Sequence, residues 1–136
     1  MELEYPDDLL YAESHEYVRL EENIAIIGLS TFLLDQLGEV EQIKLPEEGD
    51  EVEQGESVGT IKSVRGVENI HAPVSGLLIE RNQSLLNAPE AITDDPYGDG
   101  WLMKIELVDV EDENEDALAD MLSAQAYRIQ LEELED

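Results

Sequence analysis

The chain has 136 residues, of which 35 are Asp or Glu and 7 are Lys or Arg, so its formal net charge is −28. Nucleic acids and anionic membranes repel such a charge, so we expect neither as a partner, and we expect a soluble protein whose partners, if any, are basic. The lack of cysteine excludes disulfides, thiolate catalysis and cysteine metal sites, whereas 42% hydrophobic residues argue against wholesale disorder.

Length and the N-terminal sequence give expectations about organisation and location. A chain of 136 residues can bury one modest core, so we expect a single domain over residues 1–136. The N-terminus has neither a basic segment nor an apolar run, and no stretch is long enough to cross a bilayer. We therefore expect a soluble intracellular protein, which is cytoplasmic, or organellar only if a transit peptide has been removed.

The N-terminal part of the chain predicts a β-hairpin followed by one short helix. Residues 16–20 and 23–29 are rich in Tyr, Val and Ile and flank a polar pair, which indicates two strands joined by a tight turn. Ser30 precedes apolar residues at helical spacing and Gly38 follows them. Since Ser is a favoured N-cap and Gly a favoured helix terminator, we predict a helix over residues 31–37.

From residue 39 onward the pattern is that of short strands separated by turns rich in Gly or Pro. We predict strands over residues 39–45, 51–54, 57–64, 67–71, 77–81 and 101–108. Residues 84–91 indicate a short helical or irregular segment, because Pro89 interrupts them. Strands this short favour a small closed or sandwiched β unit, with the 61–70 hairpin between two weakly similar halves.

The C-terminal part predicts helices after an acidic connector. Residues 111–116 are all acidic or Asn and are interpreted as solvated chain rather than as a motif. An amphipathic helix is predicted from residue 115 onward, with Met121 and Leu122 on its apolar face. Ser123 is placed to cap a second helix that ends within residues 131–134.

No residue set predicts an enzyme or a metal site. The sequence has no P-loop, no dinucleotide-binding glycine pattern and no nucleophile elbow, and its carboxylates are too numerous for any pair to be informative. His15 has no second histidine within ligand spacing, so a structural role is favoured, as it is for His71. We expect Trp101 to anchor a core or to line a shallow cleft, and the alternative is that it contacts a cofactor arm.

Several segments, in the same order and spacing along nearly the whole chain, resemble the H protein of the glycine cleavage system. They are Ser14-His-Glu-Tyr-Val-Arg19, Asp35-Gln-Leu-Gly-Glu-Val40, Leu45-Pro46 with Gly49, Ser63-Val64, Ala72-Pro-Val-Ser-Gly76 with Asn82, Asp95-Pro-Tyr-Gly-Asp-Gly-Trp101, and Leu122-Ser-Ala with Tyr127. Any one of these segments is weak evidence, but the ordered set is specific. The sequence is most similar to cyanobacterial members, beginning with Met1-Glu-Leu-Glu-Tyr-Pro-Asp-Asp8.

The resemblance implies a mainly β fold, a barrel-sandwich hybrid of the lipoyl-carrier and biotinyl-carrier type, with short flanking α-helices at the C-terminus. It also implies a carrier rather than a catalyst. In the family, lipoate on a hairpin lysine takes the aminomethyl group of glycine from glycine decarboxylase (P protein) to the aminomethyltransferase (T protein). Dihydrolipoyl dehydrogenase (L protein) then reoxidises the lipoyl group. A lipoate ligase or transferase attaches the lipoyl group to the lysine.

One position departs from the family pattern, which places a lysine on the hairpin after Glu-Ser-Val. Here the segment is Lys62-Ser63-Val64-Arg65, and counting back from Gly76 needs no insertion or deletion. Arg65 therefore stands where the lipoyl lysine is expected. A guanidinium stays protonated and its delocalised nitrogens are poor nucleophiles, so we expect no lipoate on Arg65.

Three alternatives to a carrier that is lipoylated on residue 65 remain. Lys62 keeps an amine on the hairpin, but it lies three residues earlier, off the expected apex, and is the less favoured attachment site. The chain could instead be a binding or regulatory module that does not shuttle a group, either a divergent natural copy or an engineered hairpin variant. Biotinyl and acyltransferase-type lipoyl domains fit less well, because they lack the segment that ends at Trp101 and the C-terminal helices.

Overall fold

Short strands in two antiparallel sheets make up most of the fold. The computed structural model describes residues 9–12, 15–21, 23–95, 97–98, 100–107 and 121–135. The strands are β1 (Leu10–Tyr11), β2 (Glu16–Glu21), β3 (Ile24–Leu29), β4 (Val40–Lys44), β5 (Glu51–Val52), β6 (Ser57–Ser63), β7 (Gly66–His71), β8 (Gly76–Arg81) and β9 (Met103–Glu106). The helices are α1 (Thr31–Leu37), α2 (Gln83–Asn87), a 3-10 turn (Pro89–Thr93) and α3 (Ala124–Glu135).

The two sheets differ in size and in what they carry. The larger sheet has the strand order β1-β2-β3-β9-β8-β5, and the smaller has the order β4-β6-β7. Each sheet buries one face against the other, as β9 shows: Met103 and Ile105 are buried, whereas Lys104 and Glu106 between and after them are half-buried. This arrangement is the barrel-sandwich fold that the resemblance implied, with β6 and β7 forming the hairpin of the smaller sheet.

Two apolar clusters lie between these elements. The larger fills the space between the sheets and includes Val18, Ile27, Ile61, Ile70, Leu78, Leu102 and Ile105, all at most 1% exposed. The smaller joins the N-terminal strands to α3 through Leu9, Tyr11, Tyr17, Ala124, Tyr127 and Leu131. The second cluster seats α3 against the outer edge of the larger sheet, close to the N-terminus of α1.

Helix α1 has the bounds that the sequence predicts. Its N-cap is Ser30, whose hydroxyl oxygen accepts a hydrogen bond from the backbone N–H of Leu33 at 3.4 Å. The helix ends at Gly38, which adopts a φ of 76° and donates its backbone N–H to the carbonyl of Leu34. A φ in this range suits glycine because it lacks a Cβ.

Two predicted strands exceed the observed ones by at least two residues at one end. The strand predicted over residues 51–54 ends at Val52, because Glu53 to Glu56 form a turn in which the Glu56 N–H donates to the Glu53 carbonyl. The strand predicted over residues 101–108 begins at Met103, because the Trp101 N–H closes a turn onto the Gly98 carbonyl. Its predicted last residue, 108, lies outside the described residues.

The C-terminal prediction is partly confirmed and partly wrong. Ser123 caps α3 as expected, with its hydroxyl oxygen accepting the Ala126 N–H at 3.2 Å. Leu122, however, is not helical: it exchanges two backbone hydrogen bonds with Tyr11, of 2.8 and 2.7 Å, and so extends the sheet beyond β1. The acidic run 111–116 and the first residues of the predicted amphipathic helix, up to 120, lie outside the described residues.

Candidate functional site

The hairpin of β6 and β7 carries both candidate attachment residues. Ser63 pairs with Gly66 at its end, so that Val64 and Arg65 form a two-residue turn. Gly66 has a φ of 139°, which residues with a Cβ rarely adopt, and nothing within 4 Å would obstruct a side chain there. The turn therefore depends on glycine for its backbone conformation and places position 65 at the apex of the hairpin.

Ser63 closes the turn from inside the hairpin. Its side-chain oxygen accepts the Arg65 backbone N–H and donates to the Gly66 carbonyl, both at 3.2 Å. Ser63 is only 4% exposed, so these are hydrogen bonds in a dry environment. A serine at this position satisfies two backbone groups that a tight turn leaves unpaired.

The Arg65 side chain turns back onto the end of α1. Its Nη1 atom donates to the backbone carbonyl of Gln36 at 2.9 Å. The Val64 backbone N–H donates to the Glu39 carbonyl at 3.0 Å, and Gly38 lies directly beneath the turn. The hairpin apex is thus joined to the α1–β4 connection by one side-chain and one backbone hydrogen bond.

Lys62 occupies a different setting on the same hairpin. It lies within β6, opposite Val67 on one side and Gln42 on the other, and its side chain is exposed. Its chain neighbours Ile61 and Ser63 are both buried. Lys62 therefore projects from the outer face of the strand, off the apex that Arg65 occupies.

The hairpin also exposes two large apolar side chains. Val64 is 60% exposed and Val67 is 59% exposed, more than any other large apolar residue that the structure describes. They flank Arg65 on the turn and on β7, beside the exposed Lys62. These two valines are therefore the apolar side chains that the hairpin offers to a partner that docks on it.

His15 joins α1 to α3 and does not stand alone. Its Nδ1 lies 2.6 Å from the hydroxyl of Tyr127, which in turn lies 2.7 Å from the hydroxyl of Ser30. Burial lowers the pKa of His15, and the nearby Glu68 carboxylate opposes this in part. The neutral imidazole is therefore favoured, and the contact with Tyr127 fits the structural role that the sequence favoured.

A buried carboxylate lies at the base of the hairpin. Glu16 is 1% exposed, and its Oε2 accepts the backbone N–H of His71 at 3.1 Å. The Nδ1 of His71 is buried and has no hydrogen-bond partner among the described residues. The sequence did not predict the burial of Glu16, because one acidic residue among 35 carries no signal of its own burial.

Trp101 separates two shallow clefts on the outer face of the larger sheet. One, of about 400 Å³, is lined in part by Arg19, Tyr97 and Lys104, and the other, of about 520 Å³, in part by Arg81 and Asn82. The Lys104 ammonium lies 4.9 Å from the centre of the indole ring and 3.8 Å from the Glu80 carboxylate. The cleft-wall interpretation of Trp101 therefore describes its position.

Comparison with known proteins places this geometry in context. A family model described as "Glycine cleavage H-protein" matches residues 9–133. The chain is 53% identical to the glycine cleavage system H protein of Microcystis aeruginosa, over 96% of this chain and 97% of the relative. It is also 53% identical to that of Gloeothece citriformis, over 97% and 98%.

A solved structure agrees with these sequence relatives. The crystal structure of a glycine cleavage system H protein from Mycobacterium marinum superimposes with a TM-score of 0.83 at 30% sequence identity. The match covers 93% of this chain and 98% of that one. The similarity therefore covers nearly the whole length of both chains.

Proposed function

The chain belongs to the glycine cleavage H-protein family, and on that premise we propose that it is a partner-binding member of the glycine cleavage system that carries no lipoyl group on residue 65. The observation that supports this most directly is the arginine at the hairpin apex. The proposal treats residues 1–136 as one carrier-type domain in the cytoplasm of a bacterium, and as a protein without catalytic activity of its own.

The residue at the apex does not fit lipoyl attachment. Amide formation needs an amine that can lose its proton and attack an activated acyl group, whereas a guanidinium stays protonated in proteins and its delocalised nitrogens are poor nucleophiles. In addition, Nη1 of Arg65 is already donating to the Gln36 carbonyl. We therefore assign no carrier step to Arg65.

The rest of the chain supports binding to the usual partners of the family. The relatives are named glycine cleavage system H proteins and match nearly the whole chain, so the surfaces outside the hairpin apex have a common origin with theirs. We propose the P, T and L proteins as partners, with electrostatic attraction to basic surfaces supplied by the net charge of −28. Within the described residues, no helix combines the length and apolar character needed to span a bilayer.

Intact-mass analysis tests the chemistry. The protein is incubated with lipoate ligase, lipoate and ATP, beside Arg65→Lys as the matched variant. We expect no mass gain for the natural sequence and a gain of one lipoyl group for the variant. A lipoyl-sized gain on the natural sequence that peptide mapping assigns to residue 65 would contradict the proposal.

Lys62 supplies a second candidate, because it is an exposed amine on the same hairpin. If it were the attachment site, the natural sequence would gain one lipoyl group and Lys62→Arg would lose that gain. We expect neither result, since Lys62 is paired with Gln42 of β4 on one side and Val67 of β7 on the other, so that its backbone is fixed in the sheet and lies off the apex.

Calorimetry against the three proposed partners tests the binding role. Titrating the unmodified protein into each purified enzyme measures the affinity with no contribution from a lipoyl arm. We expect saturable binding to at least one of them, which weakens with added salt because charges contribute to association. Absence of binding to all three at low salt would refute the proposed function.

A further inference from the structure

We propose that Arg65 is a positioning residue: it caps the C-terminal end of α1 from the hairpin and holds the hairpin apex in one place. Arg65 then has a role of its own in the fold, although it lacks the amine that lipoylation needs. The inference rests on the proposed function in one respect, since it requires Arg65 to be unmodified.

The first argument comes from the end of α1. The last four carbonyls of a helix have no partner within the helix, and a cation near them is favoured by the helix dipole. The Leu34 carbonyl receives the Gly38 N–H, whereas the Gln36 carbonyl receives Nη1 of Arg65 at 2.9 Å. The last turn of α1 contains no basic residue of its own. Arg65 thus supplies, from 29 positions further along the chain, the cation that this helix end lacks.

The second argument comes from the packing beneath the turn. A Cβ added to Gly38 would lie 3.3 Å from a methyl group of Val64 and 3.7 Å from Nε of Arg65. The Val64 N–H, close by, donates to the Glu39 carbonyl at 3.0 Å. The apex therefore approaches the α1–β4 connection so closely that a side chain on residue 38 would press against Val64, and the hydrogen bond from Val64 to Glu39 joins the two segments.

Charge makes this role specific to an unmodified cation. A lysine with a free ammonium could donate to the same carbonyl, although without the planar fork of arginine. A lipoyl-lysine could not act as a cationic cap, because its nitrogen is a neutral amide. A residue at position 65 can therefore hold the apex as a cation or carry an acyl group, and arginine does only the former.

Holding the apex also fixes the exposed side chain of Val64, next to Val67, which the β6–β7 pairing already holds in place. A turn that is ordered before binding loses less conformational entropy when a partner covers it. The capped hairpin thus presents its apolar pair in a defined position to the proposed partner, without any arm. This links the α1 end to binding through a contact that can be removed by one substitution.

Amide hydrogen exchange tests the cap at the site itself. In Arg65→Gln, we expect the Val64 amide to exchange about fivefold faster, as for loss of one exposed charge-assisted hydrogen bond. Exchange of the backbone amide of residue 65 should change little, because the Ser63 hydroxyl holds it independently. Exchange of the backbone amides of β6 should also change little, because the strand pairing holds them. Arg81→Gln is the matched control: Nη1 of Arg81 donates to the Pro46 carbonyl at 3.4 Å, and its loss should leave the Val64 amide unchanged.

The conservative variant separates positioning from a general structural effect. Unmodified Arg65→Lys should keep slow exchange at the Val64 amide, and the same variant after lipoylation should exchange as fast as Arg65→Gln. Equal exchange in the natural protein, Arg65→Gln and both forms of Arg65→Lys would overturn the inference. A failure of the proposed function would instead appear as a mass gain on the natural sequence or as absent calorimetric binding, and neither changes the exchange comparison.

Discussion

Replacing Tyr127 by phenylalanine removes one hydroxyl that joins three elements of the fold. The ring is fully buried and stacks on Tyr11 at a centroid distance of 4.7 Å, so phenylalanine keeps the packing. What is lost is the hydroxyl that lies 2.6 Å from Nδ1 of His15 and 2.7 Å from the hydroxyl of Ser30. The change therefore tests hydrogen bonding with little change in volume.

The expected magnitude follows from those two contacts. Each buried hydrogen bond contributes about 1 kcal/mol, and a buried group left unpaired adds to the loss. Ser30 is fully buried, although its hydroxyl still accepts the Leu33 N–H, so the cost at that end is limited. We expect Tyr127→Phe to lower the free energy of unfolding by about 2–3 kcal/mol.

Urea denaturation followed by circular dichroism measures this loss, with Ser30→Ala and the double variant completing a thermodynamic cycle. The two changes should be less than additive, because either one removes the contact between Ser30 and Tyr127. A loss below about 0.5 kcal/mol for Tyr127→Phe would refute the reasoning, since it would mean that water replaces both contacts without cost.

Three further predictions concern separate parts of the structure. Burial lowers the pKa of His15 below 6.5, so the unfolded state binds the proton more readily than the folded state does. The contribution of His15 to stability should therefore be full above pH 6.5 and should fall as the pH drops through that value. Urea midpoints of His15→Gln should show a smaller fall over the same range. Gly28→Ala should destabilise by about 1–3 kcal/mol, since its Cβ would overlap the ring of Tyr17, and an unchanged melting temperature would contradict this. Ser63→Ala should accelerate exchange of the Arg65 amide in hydrogen-exchange measurements by about fivefold, whereas unaltered exchange would show that the turn does not need the hydroxyl.

Local signals explain which elements could be predicted from the sequence. Helix α1 has its predicted bounds because Ser30 and Gly38 mark its two ends within the chain itself. The bridge between Tyr11 and Leu122 could not be predicted in this way, because two short segments over a hundred residues apart pair only once both are folded. The apolar pattern around Leu122 favoured a helix, but Leu122 instead forms an antiparallel bridge with Tyr11.

The candidate site shows the same division. Family spacing indicated that residue 65 stands at the hairpin position, and the turn between Ser63 and Gly66 does carry Arg65 at its apex. The contact from Arg65 to Gln36 has no counterpart in the sequence, because the acceptor is a backbone carbonyl, which every residue possesses. Which carbonyl Arg65 can reach depends on where α1 ends relative to the β6–β7 hairpin.

The position of Trp101 makes intrinsic tryptophan fluorescence a probe of partner binding. Trp101 is the one tryptophan in the sequence, so the indole emission arises from a single half-buried ring with an ammonium 4.9 Å from its centre. A partner that covers the two clefts displaces water and shifts that emission, whereas one that contacts the hairpin alone leaves it unchanged. A fluorescence titration can therefore distinguish which face of the molecule a partner occupies, without a label and without altering the chain.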